Sequence, residues 1–183
     1  ITRVELDLVD AVAEAVVRVQ PRPVHVGEPR VLLHRRAAEL RAELSRFAEH
    51  TLLDETIRGA VQRQVRYGRQ RGVPWGISES GYNATDAQLN YQYRAFGVPG
   101  LGLKRGLAAD LVVAPYATMM ALMVDPKAAV ANLQRLTDEG LAGTFGYHEA
   151  IDYTPSRLPR GEKSAVVRSY MAHHQGMGLL ALA

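Results

Sequence analysis

The stretch DETIRGAVQRQVRYGRQRGVPWGISESGYN, residues 54–83, changes character halfway along. In its first part Ile57, Ala60, Val61, Gln64 and Val65 recur at helical intervals. That spacing predicts a helix with a buried stripe, capped by Asp54 and ending at Gly72. From Val73 the period is lost. Gly76, Gly81, Gly97, Gly100, Gly102 and Gly106 are interleaved with Trp75, Tyr82, Tyr91, Tyr93 and Phe96 as far as Ala114. An irregular stretch this long is unusual in a compact domain unless it is functional. Short turns lining a pocket are therefore expected.

Towards the C-terminus helical signals return. Pro115 suits a first helical position before Tyr116–Val124. Asp125 and Pro126 read as a cap and first residue for a helix over Lys127–Glu139, closed by Gly140. Thr144–Pro159 is a second loop region. Ser164 is expected to cap a final helix whose Val166, Val167, Tyr170 and Met171 face inward. Towards the N-terminus, Val4, Leu8, Val12, Ala15, Val16 and Val19 predict a helix over 4–19. A break rich in proline (Pro21, Pro23, Pro29) and a second helix over about 30–49 follow. No alternating strand pattern of any length is present, so the expected class is all-α. Residues 1–50 read as an N-terminal helical segment and 51–183 as the main unit.

The 183 residues, 47% apolar and 22% charged, suit one domain with a sizeable core. No apolar run approaches the roughly 18 residues that would cross a bilayer. The first residues, Ile1-Thr2-Arg3-Val4-Glu5, do not read as a signal peptide. The apolar, uncapped end at Gly178–Ala183 is expected of a fragment. Zero cysteines exclude disulfides and thiolate metal sites and fit a reducing compartment, hence a cytoplasmic location. The formal charge is +3 and the isoelectric point about 9.3. Arg58, Arg63, Arg66, Arg69 and Arg71 spread around their helix, which marks a solvated surface; no nucleic-acid partner is expected.

Chemistry concentrates in two loops. Residues 75–83, WGISESGYN, set Glu79 among aromatic and small residues; residues 146–155, GYHEAIDYTP, hold Glu149 and Asp152. A sugar site needs this mixture, since aromatic faces stack on pyranose rings and polar groups bind hydroxyls. Two carboxyl groups then move the proton and stabilise an oxocarbenium-like centre. Taken singly, Trp75 reads better as core, Asp152 as turn chemistry, and Glu79 as a short-helix cap no less than a site acid. His173 and His174 are adjacent, about 100° apart on a helix. Unlike an i, i+4 pair they are not expected to share a metal. Neither a metal nor another cofactor is expected. Residues 76–81 miss a nucleophile elbow, and 100–106 miss a dinucleotide fingerprint.

Five blocks carry a resemblance: WGISESGYN (75–83), YQYRAFGVPGLGLKRGL (91–107), DLVVAPYAT (110–118), YHEAIDYTPSRLP (147–159) and VVRSYMAHHQGM (166–177). In this order they closely resemble the central glycoamylase-like domain of cyclic β-1,2-glucan synthases, from about Leu52 to Ala183. The resemblance implies an (α/α)-barrel, a toroid of paired helices incomplete in this chain. It also implies retaining transglycosylation of β-1,2-glucan, with hydrolysis when water replaces the acceptor. A truncated, non-catalytic glucan-binding module is the alternative. Whole synthases are inner-membrane proteins, which would place this domain at the cytoplasmic face.

By position, the resemblance makes Glu149 the nucleophile and Glu79 the acid/base or substrate-orienting carboxylate. Trp75, Tyr82, Asn83, Tyr93, Lys104, Arg105, Tyr116, Asp152, Tyr153, Arg157, His173, His174 and Gln175 become substrate-contacting or supporting groups. Relatives also carry a Phe-Glu-Tyr block upstream of Leu52, whose glutamate is another candidate acid. Here that stretch, Ala42–Glu49, is a plain amphipathic pattern.

Overall fold

A computed structural model describes residues 51–102 and 104–182. The helices expected over 4–19 and 30–49, and the Phe-Glu-Tyr question, lie outside the described residues. The elements are α1 (Leu52–Arg71), β1 (Ser80–Thr85), β2 (Tyr91–Arg94), β3 (Val112–Val113), α2 (Pro115–Met120), α3 (Pro126–Asp138), β4 (Ala142–Gly143), β5 (Gly146–Tyr147), β6 (Ala150–Asp152), β7 (Ala165–Val167) and α4 (Ala172–Leu182). Single 3-10 turns follow α2, at Ala121–Met123, and β6, at Pro155–Arg157.

The capping signals hold with one shift. Asp125 accepts from the Ala128 amide and Pro126 opens α3. In α1 the cap is Thr51, which accepts from the Asp54 amide, so the predicted cap residue lies inside the helix. The α1 stripe is shallower than expected. Val61, Gln64 and Val65 are half-buried and Ile57 is exposed. On α3, Ala129, Asn132, Leu133 and Leu136 are buried, the i, i+3, i+4, i+7 pattern of one packed face. Leu133 and Leu136 are almost wholly enclosed, each worth roughly 1.5–3 kcal/mol relative to exposure.

The all-α expectation is corrected. The described residues hold three small antiparallel sheets, β1–β2, β3–β6–β7 and β4–β5. Their strands are two to six residues long, too short for alternation to stand out in the sequence. The last helix is also corrected. Ala165–Val167 is a strand whose Val166 and Val167 pair with Ile151 and Ala150, and helix α4 starts only at Ala172. β-Branched valines suit a pleated surface, and Val167 gains complete burial there. Tyr170 stays largely exposed instead of facing inward.

The central core joins α1, α3 and the β3–β6–β7 sheet through Tyr67, Ile77, Val112, Val113, Leu136 and Ile151. The β1 strand lies against β6 and β7, and α2 packs on α4. These two contacts bring the two loop motifs and the His173-His174 pair to one place. Among the described residues no helix is long and apolar enough to cross a membrane.

Candidate active site

Glu149 sits between two fixed backbone anchors. Its amide donates to the Ser169 carbonyl, and the preceding amide, of His148, donates to the Leu141 carbonyl. The side chain therefore turns inward and is 2% exposed. Its Oε1 accepts from the Gly81 amide at 3.1 Å. A Cβ at position 81 would lie 3.3 Å from Glu149 Cγ and from Val167 Cγ1, so glycine permits this approach.

The other partner of Glu149 is His174. Nδ1 lies 2.9 Å from Oε1 and 3.1 Å from Oε2. A carboxylate facing Nδ1 suits a proton on that nitrogen, and Nε2 is the ring atom turned to other groups. The Tyr116 ring stacks on the imidazole, with centroids 3.8 Å apart and planes 11° from parallel. Tyr116 is itself held by donating to Ser78 Oγ at 2.7 Å. Tyr93 covers the outer side, its hydroxyl 3.4 Å from Nε2.

Glu79 joins this group from the β1 loop. One of its carboxylate oxygens, one nitrogen of His173 and one of His174 all lie within 4.8 Å of one another. Both loop glutamates thus border the same imidazole, one buried and one exposed. His173 and His174 are about 100° apart around the helix, yet their rings lie side by side. They occupy the first turn of α4 with ring centroids 3.9 Å apart. Burial, then the negative charge of Glu79, pushes the Tyr93 hydroxyl up to about 12. Burial likewise raises Tyr116. Both stay protonated donors at neutral pH.

Other expected site residues form a second cluster. Asp152 is fully buried and receives both Arg157 Nε, at 2.7 Å, and Nη2, at 3.1 Å. It also accepts from the Asn83 and Thr154 amides, so the turn reading applies to it. Arg157 reaches Asp110 at 2.7 Å and lies over the Tyr82 ring. Asn83 donates to the Arg157 carbonyl. Burial works against the Arg157 charge, but its bonds to Asp152 and Asp110 outweigh that and raise it. This network clamps the β1 strand to β6. Its polar atoms are already spent on each other.

Four other expected residues have different surroundings. Trp75 is a core residue, 7% exposed and packed with Ala121 and Ala129. Its backbone is bound by Asn132 and Thr118, which hold this segment against α3 and α2. Tyr153 donates to Glu139. Lys104 and Arg105 are exposed. Gln175 remains near, donating to the Tyr147 carbonyl and lining a narrow recess beside Glu149 with His148 and Met119. The sequence reading missed Tyr147, His148 and Asp110, which carry no local signal because their partners come from other elements. A larger open groove at Tyr153, Pro155 and Leu158–Lys163 offers only Glu162 as an acid.

Comparisons with known proteins agree with the five blocks. The family model described as "Putative glucoamylase" matches residues 48–183. Cyclic beta-(1,2)-glucan synthase NdvB of Rhizobium meliloti is 55% identical over 132 residues, which cover 72% of this chain and 5% of that protein. This chain therefore spans a small part of its relative. Among solved structures, an endo-beta-1,2-glucanase from Chitinophaga pinensis aligns at 16% identity and TM-score 0.41, over 67% of this chain and 26% of that one. A "putative glucoamylase" from Bacteroides caccae aligns at 20% identity and TM-score 0.41, over 66% and 25%. A TM-score of 0.41 is too low to define a shared fold. The family-model match covers most of the chain, and the chain belongs to the glycoamylase family.

Proposed function

We propose that this chain is part of a carbohydrate-active enzyme domain that works on β-1,2-glucan by retaining transglycosylation. The helices are taken as one portion of an (α/α) toroid, with the site where the loops converge. Glu149 is the nucleophile and Glu79 the acid/base. The observation that carries this reading is the placement of both glutamates against the His174 ring.

The Glu149 carboxylate forms a bond to the anomeric carbon while the glycosidic C–O bond breaks, and the proton on Glu79 passes to the leaving oxygen. Glu79 then takes the proton from an acceptor hydroxyl. That oxygen bonds to the anomeric carbon and releases Glu149. Attack by the far end of the same chain closes a ring, and attack by water gives hydrolysis. The Gly81 amide and the His174 ring hold the Glu149 carboxylate in place. Exposure lets Glu79 exchange protons with solvent.

One observation favours a second reading, a glucan-binding module. Glu149 is 2% exposed, and the recess beside it is narrow. On this reading Glu149 only orients His174, and Glu79, Tyr93 and His173 hold sugar without turnover.

Incubation with linear β-1,2-glucan separates the two. The proposal expects redistributed chain lengths or cyclic product, lost in Glu149→Gln and Glu79→Gln. It also expects a mechanism-based 2-fluoro-glucoside to label Glu149, read by peptide mass. Binding without turnover or labelling would establish the module instead.

A further inference from the structure

We propose that Glu79, His173 and His174 form a binding site for a zinc-like divalent transition-metal ion. We further propose that occupancy of this site is exclusive with glucan turnover; this second part rests on the role of Glu79 proposed above.

Geometry and donor type carry the assignment. The three ligand atoms lie within 4.8 Å of one another. Four-coordinate zinc with bonds near 2.0–2.1 Å sets its ligand atoms about 3.3 Å apart. The remaining gap of about 1.5 Å is within reach of side-chain rotation, because Glu79 and His173 are both exposed and sit on flexible stems. Exposure also supplies an entry path. Two imidazoles and one carboxylate, with further positions open to water, make a familiar donor set for zinc. Magnesium and calcium prefer oxygen donors throughout.

The second, independent observation lies behind the ligands. Metal-bound histidines characteristically donate their other ring N–H to a carboxylate, which fixes the ring and raises its basicity. His174 already has this arrangement, with Nδ1 committed to Glu149 and the imidazole plane clamped by Tyr116. The nitrogen left to coordinate is Nε2. Among the described residues it meets the Tyr93 hydroxyl at 3.4 Å, too long a contact to resist displacement. A metal on Glu79 removes the carboxyl that donates and accepts the proton, so the two occupancies compete.

The test uses the full chain, stripped with a chelator. Zn²⁺ is titrated by calorimetry and Co²⁺ by its visible absorption. One equivalent should bind, while Mg²⁺ should not. His173→Ala and Glu79→Gln should each weaken binding at least about tenfold, and Glu149→Gln by about 10–100-fold through loss of support for His174. His173→Gln, of similar bulk, serves if the alanine variant misfolds. Absence of Zn²⁺ binding up to about millimolar, or binding that ignores these substitutions, would overturn the site.

Activity is read separately on the metal-free chain. Turnover that stops as the site fills supports exclusivity, and turnover that continues with the site full overturns it. Metal binding at these residues in a chain that never acts on glucan would retain the metal site. It would remove the proposed enzyme function.

Discussion

His174 places Nδ1 2.9 Å from the Glu149 carboxylate, and both side chains are almost completely withdrawn from solvent. A buried carboxylate is tolerated only when its acceptors are matched by donors. Here one donor is a ring on α4 and another is the Gly81 amide on β1. The pair therefore joins the C-terminal helix to the hairpin.

His174→Ala should leave Glu149 buried with one donor fewer. The expected cost is about 1–3 kcal/mol, the range for leaving a buried acceptor without one of its donors. Denaturant midpoints of the two proteins measure it. His174→Gln, which can still donate one hydrogen bond, should recover part of the loss. Equal midpoints for the alanine variant and the parent would show that the pair does not stabilise the fold.

Gly76→Ala should destabilise by more than the approximately 1–3 kcal/mol typical of a disfavoured backbone conformation. Gly76 has φ +114°, and an added Cβ would lie 2.6 Å from Thr118 Oγ1 and 3.1 Å from the Ala114 carbonyl oxygen. Thermal unfolding of the variant provides the check. A change in melting temperature under a degree or two would contradict the described turn.

Arg157→Ala should cost about 3–5 kcal/mol, since it leaves fully buried Asp152 without its guanidinium. Arg157→Lys should not restore it, because a single ammonium cannot reproduce the two-pronged contact. Full recovery with lysine, read by the same denaturation assay, would show that charge alone matters there.

The stability should fall on the acid side partly through His148. Burial, then the charge of Arg168, lowers its proton affinity in the folded chain. The unfolded chain therefore binds a proton that the folded chain refuses, starting as pH drops through about 6.5. Stability is complete above that pH and declines below it, towards the depressed folded value. His148→Gln should show a smaller decrease between pH 7.5 and 5.5. An identical decrease in both proteins would remove His148 as a cause.

Several features of the chain were legible from residue order because they are local. Asp125 followed by Pro126 suits a helix start, and Gly140 suits its end. The glycine and aromatic blocks marked the two loops that hold Glu79 and Glu149. The short strands were not legible. Two or three residues such as Val112–Val113 carry no period of their own and become strands only when β6 supplies the partner.

Five blocks of sequence carried the family resemblance, helices α1 to α3 followed from caps and spacing within a few turns, and the two glutamates stood out as candidates. Tertiary structure alone decided between the core and platform readings of Trp75, showed Asp152 spent on Arg157, and brought both glutamates to one imidazole. The physical reason is that burial and hydrogen-bond partnership belong to groups brought together from distant segments. No local rule of propensity contains that information.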